Sequence, residues 1–92
     1  MPLLKFDTEE EAIARANNTD YGLGGSVWSK DLQRAERVAS QLQAGSVWIN
    51  SHMILRADAA FAGHKQSGIG AEMGVSGLRS FCNAQTITVP KA

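Results

Sequence analysis

Between Gly24 and Asn50 the chain reads GGSVWSKDLQRAERVASQLQAGSVWIN, and this stretch constrains the fold more than any other. Its two ends, GGSVWSK and SVWIN, are short runs rich in β-branched and aromatic residues and read as strands. Between them Leu32, Ala35, Val38, Ala39 and Leu42 recur at helical spacing. Ser29 reads as the cap of that helix, KDLQRAERVASQLQA, with Asp31 in its first turn and Gly45 as its stop. Two strands joined this tightly by one helix form a parallel pair with a right-handed crossover.

The residues upstream extend the pattern. PLLKF is a short apolar run that reads as a further strand. TEEEAIARANN reads as a helix: Thr8 and Glu11 fit a capping box, three glutamates sit in the first turn where the helix dipole favours negative charge, and Ala12, Ile13 and Ala16 form an apolar face. Downstream, residues 51–72 show no sustained period and are punctuated by glycine. A structureless stretch of about 20 residues inside a compact domain is functional or lacks its packing partner. EMGVSGLRSFC then reads as a short helix, and QTITV, residues 85–89, as a last strand stopped by Pro90. The expected fold class is therefore α/β: a parallel βαβαβ unit, then a long glycine-rich loop, a short helix and a C-terminal strand.

Charge and composition exclude several partners. Nine basic and nine acidic residues cancel, and no basic stripe offers a footprint for nucleic acid or an anionic membrane. No apolar run approaches the roughly 18 residues of a membrane span. The start, MPLLKFDTEEE, lacks the basic-then-apolar layout of a secretory signal, and the single cysteine forms no internal disulfide. Both features fit a cytoplasmic protein.

The side chains able to do chemistry are few and scattered. Gly68, Gly70 and Gly74 give G-x-G-x-x-x-G, one residue longer than the dinucleotide fingerprint and preceded by a loop instead of a strand. They read as tight turns at positive φ, which glycine adopts without strain. His52 and His64 stand twelve apart with no cysteine or carboxylate pattern between them, so they make no zinc signature and read as polar loop residues. Cys82, between Phe81 and Asn83, reads as a buried structural thiol. Asp58 and Glu72 offer no paired-carboxylate arrangement, and Trp28 and Trp48 read as sheet-face residues. These features describe an α/β unit without naming an activity.

Three ordered blocks do more. Phe61, Gly63, Lys65, Ser67, Gly68, Gly70, Glu72, Gly74, Gly77 and Leu78 carry F-x-G-x-K-x-S-G-x-G-x-E-x-G-x-x-G-L. This resembles the C-terminal signature of the NAD(P)-dependent aldehyde dehydrogenase superfamily. NNTDYGLGGSVWSKD resembles that family's N-x-T-x-Y-G-L segment and the strand after it, and LQAGSVWIN its A-G-x-V-W-x-N strand. The resemblance covers Pro2 to about Val89. It implies a single partial domain over residues 1–92, the C-terminal part of the catalytic domain, with residues 85–89 as an oligomerisation strand. Leu55 and Phe61 would line the aldehyde channel. The full-length enzyme would use NAD or NADP, and this chain alone would bind neither. The family's nucleophile segment, F-x-N-x-G-Q-x-C, has no match here, and Cys82 does not fit it.

One departure from the family pattern matters. Where the family has P-F-G-G, it has Ala60-Phe61-Ala62-Gly63. Losing the proline frees φ at position 60, and Ala62 takes a positive φ less cheaply than glycine. Two readings follow. Both predict a homo-oligomer, with swapped C-terminal strands as one arrangement of it. In one, the chain is part of an aldehyde-oxidising enzyme, inactive alone, that lends channel wall and assembly surface. In the other, it starts at Met1 as a stand-alone interaction module that binds a partner through exposed strand edges.

Overall fold

The computed structural model describes residues 1–91. Helix α1 spans Glu9–Asn17, and Thr8 caps it, its Oγ1 accepting from the Glu11 N–H at 3.1 Å. The Glu11 carboxylate returns the bond one residue earlier than a capping box does, accepting from the Asp7 N–H at 3.0 Å. Arg15 ties the same helix to the preceding arm through the Lys5 carbonyl at 2.8 Å.

Two strands follow, β1 at Tyr21–Gly22 and β2 at Gly24–Val27; then come helix α2 at Leu32–Ala39 and strand β3 at Ser46–Ile49. β2 and β3 pair in parallel, from Gly24 opposite Ser46 to Val27 opposite Ile49. The strand–helix–strand unit expected from periodicity is therefore present. Its helix is capped by Asp31 and not by Ser29: the Arg34 N–H donates to Asp31 Oδ1 at 3.1 Å, while the Ser29 hydroxyl accepts from the Asp31 N–H. The helix also stops at Ala39, short of Gly45. Both Ser40 Oγ and Gln41 Nε2 donate to the Arg37 carbonyl. The Asn17 side chain holds the exit, donating to the Gln41 carbonyl and accepting from the Gln43 N–H, both at 2.8 Å. Across the helix pair, Glu9 accepts from Arg34 at 2.7 Å and from Arg37 at 3.0 Å.

The last third is built from short pieces: β4 at Phe61–Ala62, β5 at His64–Lys65, β6 at Ala71–Glu72 and helix α3 at Gly74–Arg79. β5 pairs antiparallel with β1, and β4 with β6. The stretch expected to be one long loop thus holds three two-residue strands, too short for any period to register.

Two expected strands are absent. PLLKF is exposed and unpaired, so the parallel βαβαβ unit reduces to one βαβ, and QTITV is likewise unpaired, with Ile87 and Val89 80% and 82% exposed. A strand needs a neighbour for its backbone donors and acceptors, and among the described residues neither segment has one.

The shape says what such segments lack. The radius of gyration is 18.1 Å, against about 12 Å for a compact domain of this length. The accessible surface is 7781 Å², against about 5,200 Å² for a compact monomer of this mass. Ala35 is the one hydrophobic residue buried among those described, and Leu3, Phe6, Trp28, Phe81 and Val89 all face outward. No helix is long and apolar enough to cross a membrane among the described residues.

Candidate functional site

The chain leaves β3 at Asn50 and returns to the fold at β4. The intervening loop, with the inner end of β3, encloses a groove of about 310 Å³. Trp48, Ile54, Leu55, Arg56, Ala60 and Phe61 line it. It runs along β3, from Ser46 to Trp48, and along the loop that follows the strand. Leu55 and Phe61, the two residues assigned to an aldehyde channel, border this one groove. Phe61 is half-buried and held in the pairing opposite Glu72, whereas Leu55 is 42% exposed on the loop.

Several contacts fix the loop. Trp48 Nε1 donates to the Ile54 carbonyl at 2.9 Å. Arg56 makes a two-point pair with Asp58 at 2.9 and 2.7 Å, and this guanidinium holds the Asp58 carboxyl below the usual carboxylate range. The Ala57 carbonyl accepts from the Gly74 N–H at 2.9 Å, bringing the glycine-rich segment against the loop's far end. Ala62 is not among the residues with positive φ. The alanine that replaces the family's glycine there carries no backbone strain.

The glycine-rich segment is a scaffold. Gly68, Gly70 and Gly74 have φ of 117°, 86° and 59°, as expected of turns that disfavour a β-carbon. Lys65 and Ser67 reach back to the N-x-T-x-Y-G block. Lys65 Nζ donates to the carbonyls of Asn17 and Thr19 at 2.8 and 3.2 Å, at the C-terminal end of α1. Ser67 Oγ accepts from the Gly22 N–H at 2.9 Å. The two sequence blocks are the halves of one clasp, and no motif in either block signals the other.

The remaining candidates are dispersed. His52 stacks edge-on against Trp48, with ring centroids 5.5 Å apart, while His64 sits in β5 opposite Gly22. Among the described residues no group of three or more His, Cys, Asp or Glu side chains is placed to hold a metal ion. Cys82 is exposed, not buried: it follows α3, whose outer faces are uncovered. Trp28 is 67% exposed just past β2, so only Trp48 of the two tryptophans packs on a sheet face.

Comparison with known proteins identifies the family of the fold. The model of the aldehyde dehydrogenase family matches residues 1–87. Over 97% of its length the chain is 46% identical to mitochondrial aldehyde dehydrogenase of Rattus norvegicus, and over 95% it is 47% identical to retinal dehydrogenase 2 of Gallus gallus. A solved structure of betaine aldehyde dehydrogenase from Staphylococcus aureus in complex with NAD+ superposes on 83% of the chain with a TM-score of 0.80 and 51% identity. The chain spans 17% of the length of each of those two relatives and 15% of the solved chain. Matched along nearly its whole length, the chain belongs to the aldehyde dehydrogenase family.

Proposed function

We propose that this chain is the C-terminal segment of the catalytic domain of an NAD(P)-dependent aldehyde dehydrogenase that oxidises an aldehyde to its carboxylic acid in the cytoplasm. The observation that carries the reading is the groove between β3 and the loop after it, where Trp48, Leu55 and Phe61 offer an apolar wall and no cysteine is among the lining residues. Such a wall binds and orients the body of an aldehyde and keeps water from it. The bond-making groups belong to the rest of the enzyme.

NAD or NADP, when bound to the full-length protein, accepts the hydride. The residues of this chain do not fit a dinucleotide cradle: Gly68 and Gly70 lie in a turn between β5 and β6, and α3 opens only at Gly74. No cofactor contact is assigned to them.

The surface excess of roughly 2,600 Å² over a compact monomer supports a second part of the proposal. One partner in a standard interface buries about 800 Å², so this chain has ample surface for docking onto the remainder of its own domain and onto further subunits. The exposed arm at residues 85–89 is the segment we assign to subunit exchange within a homo-oligomer.

The test replaces the matching segment of the Staphylococcus aureus enzyme with residues 1–92 and follows NADH formation. The chimera should oxidise aldehydes, and the 92-residue chain alone should not. A well-folded, inactive chimera, or turnover by the chain alone, contradicts the proposal.

A further inference from the structure

One side chain joins the ends of β2 and β3. Asn50 follows β3 directly, with φ of 51°. Its Oδ1 accepts from the Ser29 N–H at 2.9 Å, and its Nδ2 donates to the Ser29 carbonyl at 2.8 Å. The ladder itself ends one bond earlier, at the Asn50 N–H donating to the Val27 carbonyl at 2.9 Å. The carboxamide therefore continues the strand pairing past the point where backbone alone can do so. Asparagine also tolerates the left-handed region better than most residues.

From there the loop begins, and within four residues it is tied a second time, by the Trp48 indole on the Ile54 carbonyl. The two ties bracket the segment that leads into Leu55. Trp48, Ile54, Leu55 and Phe61 all line the groove.

We infer that Asn50 and Trp48 form a two-point latch that places the groove wall. Asn50 is a positioning residue: it fixes the angle at which the chain leaves the sheet, and Trp48 then seats Ile54 so that Leu55 borders the groove with Phe61. The inference rests on the groove being the aldehyde path. The latch acts on how well a substrate's body fits and leaves the chemistry alone. Loosening it weakens binding of aldehydes long enough to touch the wall and spares the smallest.

Two measurements test this. The first uses the 92-residue chain and hydrogen exchange at the Trp48 indole N–H, with the indole of the exposed Trp28 as unprotected reference. Asn50→Gly accepts the left-handed backbone without strain and removes only the clamp. It should speed Trp48 indole exchange by about tenfold while the backbone amide of Ala35 stays within about twofold. Unchanged Trp48 exchange overturns the latch. So does equal loss of protection at Ala35, which would make Asn50 a general stabiliser.

The second measurement uses the segment-replaced enzyme. Asn50→Gly should raise KM for hexanal by about fivefold or more, with KM for acetaldehyde and kcat for both within about twofold. Asn50→Asp, which keeps the acceptor and loses the donor, should fall between. Equal loss with both aldehydes, or a fall in kcat at constant KM, overturns the inference. If the unsubstituted chimera is inactive, the proposed function fails, and the exchange measurement still decides the latch.

Discussion

Gly45→Ala separates crowding from backbone strain in this fold. The Gly45 N–H donates to the Gly22 carbonyl at 3.0 Å, and the next residue opens β3. A β-carbon built on Gly45 falls on the carbonyl oxygen of Ala62, with the carbonyl carbon at 2.6 Å. Those are backbone atoms of β4, so no rotamer relieves the overlap, and β3 and β4 must move apart. Gly45 is not at positive φ, so the penalty is steric alone. Gly68 is the opposite case: its φ is 117° and a β-carbon there meets nothing within 4 Å.

Forcing two backbones apart costs about 3 kcal/mol, and a β-carbon at such a φ about 1–2 kcal/mol. The loss of unfolded-state freedom that alanine brings is common to both and cancels in the comparison. For a chain of this size each kcal/mol moves Tm by about 4–8 °C. Gly45→Ala should thus lower Tm by at least about 12 °C, and Gly68→Ala by roughly half as much. Far-ultraviolet circular dichroism on heating reads both. A Gly45→Ala variant that melts with the unsubstituted chain, or a Gly68→Ala variant that melts lower than the Gly45→Ala variant, refutes the reasoning.

Other consequences are smaller or of another kind. Lys65→Met removes both bonds of the clasp to α1 and should cost about 1 kcal/mol, since the ammonium is exposed; an unchanged urea midpoint counts against the clasp. Thr8→Ala deletes the α1 cap and should also cost about 1 kcal/mol, read as lost helical ellipticity on mild warming. Acid should weaken the fold. Glu9 is held below the usual carboxylate range by hydrogen bonds from Arg34 and then Arg37, Glu11 by the Asp7 N–H first, and Asp58 by Arg56. Depressed folded-state values give stability that is present above the ordinary carboxylate range and is lost as pH falls through the folded values. Tm should hold from neutral pH down to that range and drop below it, and Glu9→Gln should shrink the drop. A flat Tm through the same window contradicts the assignment.

What sequence reading could reach was set by the range of each interaction. The β2–α2–β3 unit was legible because Leu32, Ala35 and Val38 mark a helical period between two β-rich runs, a purely local signal. The end of α2 was not, because Asn17, more than twenty residues upstream, captures the backbone of Gln41 and Gln43. Ser29 and Asp31 are both capping residues, and only the fold shows that Asp31 caps while Ser29 meets Asn50. PLLKF and QTITV have strand composition, yet a strand requires a neighbour that the described residues do not supply. Leu55 and Phe61 entered through family resemblance, since no spacing rule singles out an apolar residue in a loop. Asn50, Trp48 and Lys65 lay inside the quoted motifs, but their roles are contacts across 6 to 48 positions and have no sequence signature.

The central claim, that this segment forms part of the wall of an aldehyde path, is tested most directly by substrate protection. In the segment-replaced enzyme, Leu55→Cys and Phe61→Cys are each alkylated with a maleimide, without NAD+, and labelling is read by peptide mass mapping with and without saturating aldehyde. Cys82, which is not among the groove-lining residues, is the internal reference. Aldehyde should slow labelling at positions 55 and 61 by about tenfold and leave Cys82 unchanged, because the bound substrate occludes only the wall it touches. Labelling at 55 and 61 that is indifferent to aldehyde would contradict the account.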